Sequence, residues 1–97
     1  GLNVYPREIE EVLYQNPKVK EAAVIGIEDP HRGEVPKGFV VLKDNAEAAS
    51  HELLQYLRQR LAAYKIPKTI ELRGSLPKNS TGKILKRLLQ NEEKQQQ

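Results

Sequence analysis

The 97-residue chain contains no cysteine, no methionine and no tryptophan, and aromatic residues make up 5% of it. Without cysteine it can form neither a disulfide framework nor a catalytic thiol. No apolar run approaches the roughly 20 residues needed to span a bilayer, and no signal peptide is recognisable. The two histidines, His31 and His51, are far apart and lack the spacing of metal ligands, so no zinc site is expected.

What is present fits one small globular domain over residues 1–97. Hydrophobic residues account for 38% of the chain and charged residues for 30%, and this length predicts a single domain with a modest core. The chain begins at Gly1 without any methionine, which suggests a piece of a longer protein.

The charges are distributed unevenly along the chain. Residues 1–57 carry six Lys or Arg against ten Asp or Glu, whereas residues 58–87 carry nine basic side chains against one acidic side chain. The net charge of +3 therefore hides a basic half, which we expect to form a positive surface suited to a polyanion. A nucleotide or coenzyme A is the small-molecule candidate and nucleic acid the large one. Tyr64 is the one aromatic residue in this half, and no nucleic-acid motif accompanies it, which disfavours nucleic acid.

Hydrophobic periodicity predicts an α+β domain, in which a small mixed sheet is flanked by about three helices. The predicted order is helix, strand, strand, helix, strand, helix. Pro6 suits the first turn of the first helix, and Asn16-Pro17 ends it. Strands are expected at residues 19–27, 38–42 and 69–72, with the first two antiparallel around a turn at 29–34.

The last two helices are predicted from leucine spacing. The first of these begins near Ser50, runs past Leu61 and is ended by Ile66-Pro67. The other is expected from Ile84, and its buried face is formed by Ile84, Leu85, Leu88 and Leu89. Beyond Asn91 the tail has nothing to bury and is expected to fray.

Residues 75–87, with the sequence SLPKNSTGKILKR, form the most informative segment. They predict a polar, mobile loop that ends at Gly82 and presents Lys83 immediately before a helix. The lysine ammonium is a compact point charge on a flexible stem, so it can hold negative charge that develops on a phosphate or carboxylate.

The pattern Leu-Pro-x4-Gly-Lys, followed by Lys-Arg, resembles the C-terminal end of the AMP-forming adenylating enzymes. This family includes acyl-CoA synthetases, firefly luciferase and the adenylation domains of nonribosomal peptide synthetases. The resemblance extends over the whole chain, because residues 1–10 resemble the motif after the family's hinge and residues 62–68 resemble a segment that meets CoA. Within the family the chain is most similar to bacterial long-chain fatty acid CoA ligases.

The resemblance implies that residues 1–97 are the C-terminal domain of such an enzyme. The large N-terminal domain, which binds ATP and the acyl group, is absent, so this piece alone is expected to be inactive and to bind no cofactor tightly. Its partners would be the enzyme's own N-terminal domain and the substrates fatty acid, ATP and CoA, with no nucleic acid. A cytoplasmic enzyme of fatty acid metabolism is implied, and peripheral association of the whole enzyme with membranes is left open.

The resemblance also implies a role for particular residues. Lys83 would contact the substrate carboxylate and the adenylate phosphate, within an adenylate loop formed by Ser80, Thr81 and Gly82. The residues implied to bind CoA are Gly1 and Leu2 at the pantetheine tunnel, and Tyr64, Lys65 and Lys68 at the nucleotide. For Tyr64 an alternative stays open, in which the ring only packs the end of the second helix.

The implied reaction has two steps, served by one domain that rotates about a hinge. A fatty acid carboxylate first attacks the α-phosphate of Mg-ATP, which gives acyl-AMP and pyrophosphate. The CoA thiol then attacks the acyl carbon and releases AMP. In an alternative reading, the acyl group passes to the phosphopantetheine of a carrier protein instead of free CoA.

Overall fold

The computed structural model describes residues 4–96, and its elements follow the predicted order. They are α1 (Pro6–Tyr14), β1 (Val19–Asp29), β2 (Gly33–Leu42), α2 (Ser50–Arg58), a 3-10 turn (Ala63–Lys65), β3 (Thr69–Leu72) and α3 (Lys86–Gln96). Across this described range, no helix has the length and apolar character needed to cross a membrane. The predicted α+β class is confirmed.

The three strands form one mixed sheet in the order β1-β2-β3. β1 and β2 are an antiparallel hairpin, as predicted, and β3 lies parallel to β2 after the crossover through α2. The hairpin turn is held by Asp29, whose Oδ1 accepts the backbone N–H groups of His31 and Arg32 at 2.8 and 3.0 Å. Gly33 closes this turn with a φ of 82°, a conformation that costs glycine little because it has no Cβ.

Side chains of β1 alternate between two cores on opposite faces of the sheet, as the pleat of a strand requires. Ala22 and Val24 enter a core under α1 and α2, whereas Ala23 and Ile25 enter a core under α3. The α1/α2 core contains Ile9, Leu13, Val19, Ala22, Val24, Val40, Leu53, Leu57 and Ile70. The α3 core contains Ala23, Ile25, Phe39, Val41, Leu76 and Leu89.

The second strand begins earlier than predicted, at Gly33 instead of residue 38. The prediction treated Gly33 and Glu34 as part of the turn, and a proline such as Pro36 lacks the N–H that a strand ladder uses. In the structure Pro36 lies just before the residue where pairing with β3 begins, Lys37 opposite Thr69. Its carbonyl still accepts the N–H of Lys68 at 3.0 Å, so the missing donor does not interrupt the strand.

The second helix ends earlier than predicted, at Arg58, and a separate 3-10 turn precedes Pro67. Leu61 nevertheless packs against the α1/α2 core from outside the helix. The leucine spacing therefore predicted the packing of Leu61 correctly, but it predicted a helix that is too long.

The start and buried face of the last helix also differ from the prediction. Ile84 precedes α3 and pairs with Lys78 in an isolated antiparallel bridge, so the helix begins at Lys86. Leu88 is 39% exposed, whereas Leu89 is fully buried in the α3 core.

The predicted fraying of the tail is wrong, because α3 continues to Gln96. Glu93 is buried and forms an ion pair with Lys37 of β2. One residue earlier, Glu92 accepts a hydrogen bond from Arg73 at 3.0 Å. The tail buries a paired charge rather than an apolar face, which hydrophobic periodicity cannot detect.

Candidate functional site

The loop that carries Lys83, residues 75–85 and here called the motif loop, is anchored in the α3 core at both ends. Leu76 is buried in that core and Ile84 packs against it. Between them the chain forms a narrow hairpin, in which Lys78 pairs with Ile84 and the N–H of Leu85 donates to the carbonyl of Pro77 at 2.8 Å. The exposed tip, residues 79–83, is therefore held on a fixed base.

Asn79 organises the tip of the motif loop. Its Oδ1 accepts from the backbone N–H and the hydroxyl of Thr81 at 3.0 and 2.7 Å, and from the backbone N–H of Lys83 at 3.0 Å. Its own N–H donates to the carbonyl of Lys83 at 2.9 Å. Gly82 completes the turn with a φ of 87°, a backbone conformation that residues other than glycine rarely adopt. The sequence predicted a mobile loop, whereas the structure shows a hydrogen-bonded turn.

Lys83 itself is exposed and has no carboxylate partner among residues 4–96. The basic residues on either side of it are paired. Lys78 forms an ion pair with Glu21 of β1, and Lys86 lies 2.6 Å from Glu10 of α1. The flanking cations thus attach the loop to the rest of the domain, and the Lys83 ammonium is left available to an anionic ligand.

The 3-10 turn places Tyr64 on the surface, where 61% of the residue is exposed. The Tyr64 ring meets Tyr5 edge to face, with centroids 6.3 Å apart and planes at 77°. Lys65 lies 5.1 Å from the Tyr5 ring and 5.5 Å from the Tyr64 ring. A hydrogen bond from Lys65 to Glu8 at 2.9 Å outweighs the loss of solvation and raises the pKa of that lysine. The exposed Tyr64 ring is available for stacking by a nucleotide base. The ammonium of Lys65 is already paired with the carboxylate of Glu8.

Lys68 is also paired. Its ammonium lies 2.8 Å from Asp29, whose side chain is 6% exposed. The hydrogen bond from Lys68, followed by the backbone N–H of His31, lowers the pKa of Asp29 to about 2. Of the predicted nucleotide-binding cations, then, Lys65 and Lys68 both have partners within the domain.

Two arginines that the sequence did not predict as binding residues lie beside this segment. Arg32 and Arg58 line, together with Lys68, an open depression of about 450 Å³. Arg32 also borders a smaller depression that Tyr64 lines. Within the described part of the chain neither arginine has an ion-pair partner. One arginine comes from a hairpin turn and the other from the end of α2, so their approach depends on the tertiary fold.

The positive surface expected on the basic half is reduced by ion pairs within the domain. Five of the nine basic side chains in residues 58–87 pair with carboxylates inside the domain, and four of these pairs reach into residues 1–57. The paired side chains are Lys65, Lys68, Arg73, Lys78 and Lys86. Folding therefore brings the two unequal halves together and leaves a few separate cations.

The predicted site residues form two groups. The motif loop is anchored in the α3 core, whereas Ile66, next to the Tyr64 turn, packs against the α1/α2 core on the other face of the sheet. Ser80, Thr81 and Gly82, the other residues of the predicted adenylate loop, lie with Lys83 in the exposed tip. The predicted tunnel residues Gly1 and Leu2 lie outside the described residues.

Comparison with known proteins assigns the family. The family model described as "AMP-binding enzyme C-terminal domain" matches residues 8–83, which include Lys83 at their end. The chain belongs to this family. It is also 52% identical, over 93 residues, to a long-chain-fatty-acid–CoA ligase of Bacillus subtilis. The aligned region covers 96% of this chain and 17% of that relative.

Solved structures of this family share the fold. A fatty acyl CoA synthetase of Mycobacterium tuberculosis superimposes with a TM-score of 0.87 at 43% identity, over 95% of this chain and 18% of that one. ATP-bound MatB from Rhodopseudomonas palustris superimposes with a TM-score of 0.91 at 36% identity, over 97% and 19%. This AMP-binding C-terminal domain thus spans less than a fifth of the relatives that it matches.

Proposed function

We propose that this domain is the mobile C-terminal domain of a fatty acyl-CoA synthetase, which uses ATP, Mg²⁺ and CoA together with an N-terminal domain that carries the acyl and adenine pockets. The observation that carries the proposal is the exposed Lys83, which lacks an ion-pair partner in residues 4–96 while hydrogen bonds fix its backbone. The similarity to a long-chain-fatty-acid–CoA ligase supports the choice of acid, and the ATP-bound relative supports the choice of nucleotide.

In the adenylation step, Lys83 acts as an electrostatic clamp. Negative charge accumulates between the fatty acid carboxylate and the α-phosphate as the new bond forms and pyrophosphate leaves. An ammonium held at this point stabilises that charge without transferring a proton, and the rigid base of the motif loop reduces the reorganisation required. Lys78 in the motif loop and Lys86 just after it are already paired with Glu21 and Glu10. We therefore assign the substrate contact of this loop to Lys83.

In the thioester step, the surface around Tyr64 holds the nucleotide end of CoA. Tyr64 offers its ring to adenine, a contact worth roughly 1–3 kcal/mol where it forms. Arg32 and Arg58 hold the phosphates, because guanidinium groups bind phosphate oxygens in bidentate fashion. Lys68 lines the same depression as the two arginines, and Lys65 lies next to Tyr64. Both lysines contribute less, since their charges are already paired with Asp29 and Glu8.

The two groups serve the two steps in turn. The motif loop and the Tyr64 turn are anchored in cores on opposite faces of the sheet, so a single orientation of the domain cannot easily present both to one reaction centre. Rotation of the domain about a hinge would withdraw Lys83 after adenylation and bring in the CoA-binding surface. Gly1 and Leu2 would then line the path of the pantetheine arm.

The proposal is tested by assaying the two half-reactions separately in the intact enzyme. Lys83→Ala should reduce acyl-adenylate formation, measured as pyrophosphate release, by on the order of 10²–10³-fold, the usual effect of losing one preorganised donor. Thioester formation from supplied acyl-AMP should be largely retained. Arg87→Ala is the matched control, because Arg87 is an exposed cation next to the motif loop and forms no ion pair within residues 4–96. Equal loss of both half-reactions in a folded Lys83→Ala enzyme would contradict the proposal.

A further inference from the structure

Asn79 is the partner in both hydrogen bonds that the backbone of Lys83 forms within residues 4–96. The carboxamide oxygen accepts the N–H of Lys83 at 3.0 Å, and the backbone N–H of Asn79 donates to the carbonyl of Lys83 at 2.9 Å. Lys83 is thus held at both of its peptide groups by one residue. We propose that Asn79 is a positioning residue for adenylation, whose carboxamide fixes the direction in which the Lys83 side chain leaves the loop. This inference rests on the role proposed above for Lys83.

Other interactions hold the loop without fixing Lys83 itself. The ion pairs of Lys78 and Lys86 attach the two ends of the hairpin to β1 and α1. Neither pair restricts rotation of the backbone between them, where Gly82 adopts a φ of 87° and glycine leaves the chain free to take many conformations. Two backbone bonds, from the Asn79 N–H to the Lys83 carbonyl at 2.9 Å and from the Gly82 N–H to the Asn79 carbonyl at 3.0 Å, would remain without the Asn79 carboxamide. The N–H of Lys83, which follows this glycine directly, would lose its partner in the loop.

The chemistry of an asparagine suits this task. An Asx side chain accepts hydrogen bonds from backbone groups a few residues further on, and here one oxygen receives three of them, from both donors of Thr81 and from the N–H of Lys83. Asn79 is exposed, so this bonding is not required to bury a polar group. A loop that is ordered in advance loses less entropy when the ammonium meets the charge that develops in the transition state.

The experiment compares three variants of the intact enzyme in both half-reactions. Asn79→Ala removes the acceptor. Asn79→Thr supplies a hydroxyl, which makes the same kind of turn more weakly and adds no charge. Asn16→Ala is the matched control, because Asn16 also accepts a backbone N–H two residues on, from Lys18 at 2.9 Å, in the turn between α1 and β1.

We expect Asn79→Ala to lower kcat for adenylation roughly 10- to 100-fold, the range expected from a small displacement of a catalytic group. The KM for ATP and the rate of thioester formation from acyl-AMP should change little. Asn79→Thr should recover part of the lost kcat, and Asn16→Ala should match the unmodified enzyme. Melting temperatures of all three should stay close to that of the unmodified enzyme, because the altered side chains are not in the core.

The outcomes separate this inference from the proposed function. If Lys83→Ala impairs adenylation but Asn79→Ala does not, the positioning role of Asn79 is wrong and the role of Lys83 stands. If Lys83→Ala leaves adenylation intact, the proposed function itself is wrong. A loss in Asn79→Ala that is equal in both half-reactions, or that Asn79→Thr does not relieve, would also overturn the positioning role.

Discussion

Lys37 and Lys83 have the same side chain, but the fold surrounds them differently. The Lys37 side chain is 11% exposed and pairs with Glu93 of α3 and with Glu71 of β3, the latter at 3.2 Å. It also lies 5.1 Å from the ring of Phe39 in the α3 core. Lys83 is exposed and has no such partner in residues 4–96, although its backbone is fixed on both sides.

The difference separates a stabilising cation from an available one. At Lys37, burial by itself lowers the pKa, but the hydrogen bonds that its ammonium donates to Glu93 and Glu71 outweigh this effect, so the pKa is raised and the side chain stays charged. The charge of Lys37 is paired with carboxylates of β3 and α3, and its contact with Glu93 joins α3 to the sheet. At Lys83 the fold constrains the main chain and leaves the ammonium free to bind a ligand, an arrangement that adds little stability and suits catalysis.

The largest expected effect is on stability, and it tests the buried side of the comparison. Lys37→Met should lower the free energy of unfolding by about 3–5 kcal/mol, because it leaves the buried carboxylate of Glu93 without its cation, whereas Glu71 keeps Arg73 as a partner at 3.4 Å. Lys83→Met should change it by no more than about 0.5 kcal/mol, as expected for an exposed site without partners. Urea denaturation of the two variants measures both values. Similar losses in the two variants would show that the contrast is false.

A smaller effect, on the binding of CoA, is expected at Arg32 and Arg58, which line one depression and have no ion-pair partner in residues 4–96. Arg58→Ala should raise the KM for CoA roughly 10- to 100-fold, which corresponds to one or two charge-assisted hydrogen bonds, and should leave pyrophosphate release unchanged. Lys43→Ala serves as the control, because Lys43 is exposed and outside both depressions. An unchanged KM in Arg58→Ala would remove the phosphates of CoA from this depression.

The smallest effect is expected from the ion pair between Lys68 and Asp29, and it should appear in the pH dependence of the free energy of unfolding. The pKa of Asp29 is lowered to about 2 in the folded domain, against about 3.9 in an unfolded chain. Its contribution is therefore present above about pH 4 and is lost as the pH falls through about 2. Asp29→Asn should flatten the stability profile over this interval and leave the profile near neutral pH parallel to that of the unmodified protein. Superimposable acid limbs would contradict the assignment.

Much of the fold and part of the site could be predicted from the sequence. Local signals were sufficient for α1, for the hairpin and for the position of Lys83, because proline, glycine and alternating apolar residues act over a few positions. The length of α3 could not be predicted, since it depends on the pairing of Glu93 with Lys37 across 56 residues. The proximity of Arg32 and Arg58 in one depression could not be predicted either, because the tertiary fold alone brings the hairpin turn to the end of α2.

Pairing across the chain also explains why charge counting misled. The basic half was correctly recognised, but Lys65, Lys78 and Lys86 find partners in the acidic half. A sequence shows how many charges a segment carries, whereas the fold decides which of them stay unpaired. Lys83 was predicted from its motif, and the structure adds that Lys78 and Lys86 on either side of it are paired with carboxylates.

The most direct test of the central claim, that the free ammonium of Lys83 serves adenylation, is to remove that charge without shortening the side chain. Acetylation neutralises lysine and adds bulk at the nitrogen. Intact enzyme homogeneously acetylated at Lys83 should show a melting temperature close to that of the unmodified enzyme, a severe loss of pyrophosphate release, and retained conversion of supplied acyl-AMP to the thioester. Undiminished pyrophosphate release from the acetylated enzyme would contradict the account.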